Sequence, residues 1–206
     1  MRFVQIKTEE QQAVLALHTE RGILIRERIA CSNSLRATLA EFGITIAAGQ
    51  SHLTCELPAI LEDGENGLSP FVRTSIYRQS KHIGELEEQV KQVEEALDSW
   101  YRTQEACQRM AKIPGVGMLT ATYVVAAVGN ARQFSTAKQF ASWLGLTPKE
   151  HSSGGKQQLG GISKRGDGYF RYLLVHGARA LTAWVNRNGA VEENSWLQGL
   201  LERKHY

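Results

Sequence analysis

Acidic residues are almost missing from one long stretch of this chain. Between Arg109 and Arg187 stand eleven Lys and Arg and only two acids, Glu150 and Asp167. The rest of the 206-residue chain holds thirteen bases and nineteen acids, so a net charge of +3 conceals a basic half and an acidic half. A segregated basic half is the electrostatic footprint of a nucleic-acid surface; a solvated basic face without a partner is the alternative. Cysteine is scarce as well. Cys31, Cys55 and Cys107 lie far apart, which excludes a disulfide framework or a finger-type metal spacing and predicts reduced thiols in the cytoplasm. No apolar run reaches 18 residues and no basic-then-apolar leader opens the sequence, so neither a membrane span nor a signal peptide is predicted. The 42% hydrophobic and 22% charged content is that of an ordinary soluble chain, long enough for one large or two small domains.

What is present is mostly helical pattern. After a short β-branched run, Phe3 to Ile6, Thr8 with Glu10 and Gln11 approximates a capping box. A long helix is predicted from there to Phe42, with Gly43 as its stop. Its apolar face, Val14, Leu17, Leu24, Leu35, Leu39 and Phe42, is interrupted by Arg21 and Arg28, which either packing or nucleic-acid contact could use. Gly43 to Leu53 reads as a connector, Leu53 to Leu61 as a short helix broken by Pro58, and Glu62 to Gly67 as a solvated acidic loop. The next segment is the most regular. Ile83, Leu86, Val90, Val93, Leu97 and Trp100 step by three and four residues in a heptad seam. That seam fits either antiparallel packing on Thr8–Phe42 or self-association of two copies.

Two further stretches carry the functional expectations. Arg109 to Val128 contains Ile113-Pro114-Gly115-Val116-Gly117 between two helical patterns, with the small Ala121 behind it. This resembles the helix-hairpin-helix pattern; a tight helical turn without DNA is the alternative. The two glycines are expected to take backbone angles closed to other residues, so that the N-terminus of the second helix faces a DNA phosphate. A helix from Thr136 to Leu144, capped by Ser135, is predicted to end at Gly145, with Pro148 preventing its extension. Glu150 to Phe170 then reads EHSSGGKQQLGGISKRGDGYF, with six glycines, two adjacent serines, and the cations Lys156, Lys164 and Arg165. Such a stretch cannot bury a core; it reads as a loop suited to phosphate. A basic helix from about Tyr169 to Arg187 follows.

The run IPGVG…ATYVVAAVGNARQFSTAKQFASWLGLTPKEHSSGGKQQLGGISKRGDGYFRYLLVHGARA resembles the C-terminal domain of a bacterial transposase family. These are insertion-sequence transposases of the IS-one-ten type, described as bridge-RNA-guided serine recombinases. MRFVQIKTEEQQAVLALH…LRATLAEFGI is similar to the middle of the same proteins, so the resemblance covers essentially the whole chain. It implies a DNA transposase or site-specific recombinase in which a serine attacks a DNA phosphodiester. The link formed is a phosphoserine, later reversed by a strand hydroxyl. The nucleophile is carried over onto Ser153, with Ser152 as runner-up, and Lys156, Lys164, Arg165 and Arg171 are expected to hold phosphates. His151 is a weak candidate base.

In such transposases an N-terminal acidic domain holds divalent metal. No four acids of this chain carry over onto it, so a truncated member, inactive alone, is expected. Neither a metal site nor a cofactor is expected in the chain itself, and Mg²⁺ would enter through the missing domain. The predicted architecture is all-α: a long helical hairpin or coiled coil over residues 1–108, then a compact helical domain over 109–206. Expected partners are DNA, guide RNA and a second copy through the 83–100 helix, with no membrane. The competing functional readings are a non-catalytic helix-hairpin-helix DNA-binding module and a dimerisation remnant.

Overall fold

The computed structural model describes residues 6–188, together with Gly199 and Arg203. The expected β-branched run Phe3 to Ile6 therefore lies outside the described residues except for the exposed Ile6. The described elements are seven α-helices, a short 3-10 turn and a pair of β-strands. They are α1 (Glu9–Glu41), α2 (Gln50–Glu62), α3 (Pro70–Thr103), α4 (Glu105–Met110), α5 (Met118–Val128), the 3-10 turn Ala131–Gln133, α6 (Ala137–Trp143), β1 (Pro148–Glu150), β2 (Leu159–Ile162) and α7 (Gly168–Asn188). The fold is thus predominantly helical rather than all-α. No described helix is long and apolar enough to cross a membrane. The chain separates into two compact units, residues 15–99 and residues 1–14 with 100–206.

In the first unit, α1 and α3 run antiparallel. The proof lies in two ion pairs: Arg21 to Glu94 at 2.7 Å and Arg28 to Glu87 at 3.9 Å. A step of seven forward on one helix matches seven backward on the other. The two arginines that break the apolar face of α1 are therefore packing residues. Seam residues Ile83, Leu86, Val90, Val93 and Leu97 are all buried within the chain. Leu35, Leu39, Leu53, Leu57, Leu68, Ile76 and Ile83 form one core, joined at its edge by Ile44 and Ile46.

Helix ends follow from local chemistry. Thr8 Oγ1 accepts from the Gln11 amide while Gln11 Oε1 accepts from the Thr8 amide, a reciprocal capping box. At the other end of α1, Gly43 has φ +77°, its amide bonds Ala40 O, and the Ile44 amide reaches back to Leu39 O. That is the paired closure of a Schellman motif, with Ile44 packed on the core that contains Leu39. Helix α2 begins three residues before the expected start and contains Pro58 within it. Its last carbonyls are taken by Arg73 of α3, which donates to Leu61 O at 2.9 Å, to Asp63 O at 2.5 Å and to Asn66 Oδ1 at 2.5 Å. Asn66 of the turn adds a bond of its own, donating from its side-chain amide to Ile60 O at 2.7 Å.

In the second unit, Val124, Val128, Leu144 and Phe170 form the core with Met110, Tyr123, Phe134, Phe140, Leu146 and Leu174 around them. Helices α4 and α5 meet at Ala121, which is fully buried, and the Cys107 thiol lies 3.8 Å from its carbonyl. Burial pushes that thiol up to about 11, so it is an inert core group. The cap of α6 is Thr136, whose hydroxyl accepts from Gln139 N, one residue later than the predicted Ser135. Ser135 contributes instead through its amide, which donates to the Gln139 side chain.

Candidate nucleic-acid interface

The glycine-rich stretch predicted as a loop is in its first half a β-hairpin. Strand β1 pairs antiparallel with β2, Pro148 opposite Ile162 and Glu150 opposite Leu159, with an extra residue on β2 between those pairs. The pairing continues past the strands: the His151 amide bonds Gln158 O at 2.9 Å, and Ser153 bridges Lys156. At the tip, Gly154 and Gly155 have φ +57° and +75°, and Lys156 N closes the turn on Ser153 O at 3.1 Å. Two consecutive left-handed residues make this a two-residue type I′ turn, the geometry that matches strand twist. The signal was in the sequence, since Gly-Gly between two extendable runs is a hairpin turn. The polar composition concealed it.

This pairing sorts the two serines. Ser152 Oγ donates to Glu150 Oε1 at 2.9 Å and accepts from the Gln158 amide at 3.1 Å. Glu150 and Ser152 thus share one face. Lys149 and His151 flank Gly160 on the other, and the alternation of a strand carries Ser153 to that face, about 7 Å beyond His151. The Ser153 side chain makes no hydrogen bond among the described residues, and it is exposed beside the exposed Lys156. Near the hairpin root an open cleft of about 350 Å³ is lined by Ser142, Thr147, Pro148, Lys149, Glu150, His151, Ser163 and Arg165. The structure therefore brings Lys149, His151 and Arg165 around one cleft, with Ser153 and Lys156 at the tip outside it.

The root is held by close backbone crossings. Ser163 N bonds Thr147 O at 2.8 Å and Lys164 N bonds Gly145 O at 3.0 Å. A Cβ on Gly166 would sit 2.1 Å from Trp143 O, and one on Gly145 would sit 2.7 Å from the amide nitrogens of Arg165 and Gly166. Lys164 is forced into φ +56°, a conformation that costs a residue with a Cβ about 1 kcal/mol. Arg171 clamps the same crossing, donating to Leu144 O at 2.8 Å and to Lys164 O at 3.1 Å. Its guanidinium is thus built into the fold, whereas Lys164 and Arg165 are exposed. Asp167 caps α7 through the Phe170 amide at 2.9 Å and accepts from Tyr123 OH at 2.6 Å. Burial, then that bond to a carboxylate, raises the Tyr123 hydroxyl above its ordinary range. The sequence reading missed this tie between α5 and α7.

The Ile113–Gly117 turn links α4 to α5 as expected, with different roles for its glycines. Gly115 has φ +83° and lies against Gly177 of α7, where a Cβ on Gly177 would come within 2.0 Å of Gly115 O. Gly117 has φ −87° and ψ −179°, ordinary extended backbone, and a Cβ there would meet nothing within 4 Å. The expectation that Gly117 needs a forbidden angle is thus corrected: it is the exposed residue preceding α5, and it leaves the first turn without a side-chain cap. Among the described residues no group of three His, Cys, Asp or Glu could hold a metal ion.

Residues 107–192 match the Transposase IS116/IS110/IS902 family. The transposase for insertion sequence element IS1111A of Coxiella burnetii is 43% identical across 99% of this chain and 56% of its own length. A protein of Pseudomonas aeruginosa named "Probable family 20 transposase" is 40% identical across 99% of this chain and 60% of its own length. The transposase for insertion sequence element IS1328 of Yersinia enterocolitica is 37% identical across the whole of this chain and 60% of its own length. The chain thus spans between half and two thirds of each of these relatives.

Proposed function

We propose, from a homology to insertion-sequence transposases that runs the length of the chain, that this protein is the middle and C-terminal part of such a transposase and acts on DNA in transposition. The observation that carries this reading is the basic hairpin. Its two ends join residues that the sequence singles out for phosphate chemistry, on a rigid base of backbone crossings. Lys149 and Arg165 at the root cleft and Lys156 at the tip, with Lys164 in its left-handed conformation beside them, form the proposed phosphate track. Strain concentrated at an exposed cation is a mark of a functional position. Arg171 is proposed to shape this track by holding the Lys164 carbonyl, not to take a phosphate of its own.

Within this reading the 109–128 segment serves as a helix-hairpin-helix-like element. Gly115 gives the tight turn on α7, and the uncapped first turn of α5 offers its amides to a backbone phosphate. Ser153 is the proposed nucleophile. Its oxygen attacks a DNA phosphorus, forming a phosphoserine ester as the bond from phosphorus to the strand oxygen breaks; that oxygen leaves as a hydroxyl on taking up a proton, and the hydroxyl of an incoming strand end later attacks the same phosphorus and releases the serine. His151, two residues away on the same hairpin face, is the proposed base that takes the serine proton through an intervening water. Ser152 is the weaker choice because its hydroxyl already holds Glu150 and the Gln158 amide. Guide RNA and a second copy of the chain are further proposed partners. A dimer through α3 would use flanks of that helix, since Ile83 to Leu97 is already covered within the chain.

The test uses supercoiled DNA carrying an insertion-element junction, with guide RNA and Mg²⁺, and looks for covalent protein–DNA adducts. The full-length relative is expected to form an adduct that Ser153→Ala abolishes and Ser152→Ala retains. Isolated, this chain is expected to bind the DNA with a steep salt dependence and to form no adduct. An adduct lost only in Ser152→Ala would move the nucleophile by one residue, and binding indifferent to salt would end the phosphate-track reading.

A further inference from the structure

Helix α7 has two faces of different character. Phe170, Leu173 and Val185 are buried on one side, where Gly177 also meets the Gly115 turn. On the opposite side a spacing of three and four residues aligns Tyr172, His176, Arg179 and Ala183, with Val175 beside them and Arg187 near the end. Tyr172 is 54% exposed and Val175 45%, while His176, Arg179 and Arg187 are exposed as well. Two neighbouring rings meet it: Tyr169, half-buried with its ring edge-to-face with Tyr123, lies near-parallel to Tyr172 at 6.2 Å, and the His176 ring, tilted by 53°, lies 4.2 Å from Tyr172. Across all 21 residues of α7 there is no Asp or Glu. A solvent-facing pair of rings, Tyr172 and His176, continued by two arginines is not what a soluble helix needs on its wet side. Charged pairs of both signs would serve there, as the exposed Lys91 and Glu95 do on α3.

Ring faces offer stacking to any base, and the arginines one turn and three turns further on offer charge to the phosphates that follow. That combination is the stacking platform of single-strand binding, in which sequence is not read. A duplex fits it poorly, because paired bases present edges rather than faces. A protein partner would be expected to place acids opposite the arginines while finding little aliphatic surface to bury. We propose that the exposed face of α7 binds unpaired DNA nucleotides, with Tyr172 as the stacking residue and Arg179 and Arg187 on the flanking phosphates. This rests on the DNA-transposition reading: exchange of strands requires base pairs to open at the crossover, and the opened nucleotides need a seat. It assigns that seat to α7, apart from the hairpin that is proposed to hold the duplex backbone.

Fluorescence anisotropy of the full chain with labelled oligothymidylate, a matched hairpin duplex and oligouridylate separates the possibilities. Tyr172→Ala should weaken oligothymidylate binding about tenfold, Tyr172→Trp should retain it, and duplex affinity should stay within twofold. Arg179→Gln should lower the slope of log affinity against log salt by about one for the single strand. Because Tyr172 is half exposed, its truncation opens no core, and an unchanged circular-dichroism melt confirms folding. Equal loss on duplex and single strand, or no loss at all, would overturn the proposal. Several-fold tighter binding of oligouridylate would assign the face to RNA instead and overturn the choice of DNA. Lys156→Ala with Lys164→Ala supplies the independent arm. If those changes abolish duplex binding and spare the single strand, the two surfaces are separate; if the duplex is unaffected, the hairpin reading fails while the α7 result stands.

Discussion

Gly166→Ala would put a methyl carbon 2.1 Å from the carbonyl oxygen of Trp143 and 2.5 Å from the carbonyl carbon of Leu144. An ordinary carbon–oxygen approach is about 3.3 Å or more, so the two backbone segments would have to part by roughly 1 Å. Neither can step aside cheaply. The Leu144 carbonyl is held by Arg171, and Gly145, at φ +70°, closes α6 with its own amide on Ser142 O and the Leu146 amide on Ala141 O. Overpacking at a fixed contact costs about 1–3 kcal/mol, and a backbone-on-backbone clash belongs at or above the upper end. A loss of about 3 kcal/mol lowers the melting midpoint of a chain this size by about 6–12 °C. Urea and thermal unfolding followed by circular dichroism read it directly, and trypsin nicking after Lys164 or Arg165 reports the local loosening. Gly117→Ala is the internal comparison, since its Cβ would meet nothing and its φ suits any residue; it should change stability by less than about 1 kcal/mol, the smaller unfolded-state entropy offsetting alanine's poorer fit at a helix N-cap. Equal midpoints for wild type and Gly166→Ala would refute the crossing at the hairpin root, and with it the rigidity assigned to Lys164 and Arg165.

Three other outcomes follow from the same structure. Lys164→Gly relieves the left-handed backbone and should stabilise the chain by up to about 1 kcal/mol while weakening DNA binding, so calorimetry and anisotropy should move in opposite directions. His18 is 2% exposed, and burial followed by the charge of Arg21 lowers it to about 4 from 6.5. The unfolded chain therefore binds the extra proton first, and stability falls as pH drops from about 6.5 towards 4, by about 3 kcal/mol at most. Urea midpoints across that window should show the slope, and His18→Gln should flatten it. Leu86→Asp places a carboxylate at a site that is 2% exposed and should unfold the α1–α3 pair; a well-folded variant that only shifts from dimer to monomer in sedimentation would instead show the seam to lie between copies.

Much of the helical frame was legible because its rules are local. The Thr8–Gln11 box, the Gly43 stop and the heptad from Ile83 to Leu97 each depend on residues within a few positions of one another. Arg21 and Arg28 stood out as interruptions, but their partners Glu94 and Glu87 are 73 and 59 residues away, and no local pattern names them. The same applies to Gly145 with Gly166 and Gly115 with Gly177, where a glycine is required by a distant backbone and not by its own angles alone. Gly117 shows the converse error, a glycine credited with an angle it does not adopt. The hairpin was missed because a strand exposed on every residue has no apolar alternation to announce it; only the Gly-Gly turn could have.

The two-residue turn at Gly154–Gly155 has a consequence for how this segment can vary. In a pleated strand, position along the chain is also a choice of side, so odd residues from Lys149 to Ser153 look one way and even residues the other. Composition at the tip is then free so long as the turn forms, but length is constrained by parity. Deleting one residue ahead of Ser153 would hand its place to a neighbour and turn it towards the side of Glu150. Removing two, with their partners opposite, would shorten the reach and leave the serine facing as before.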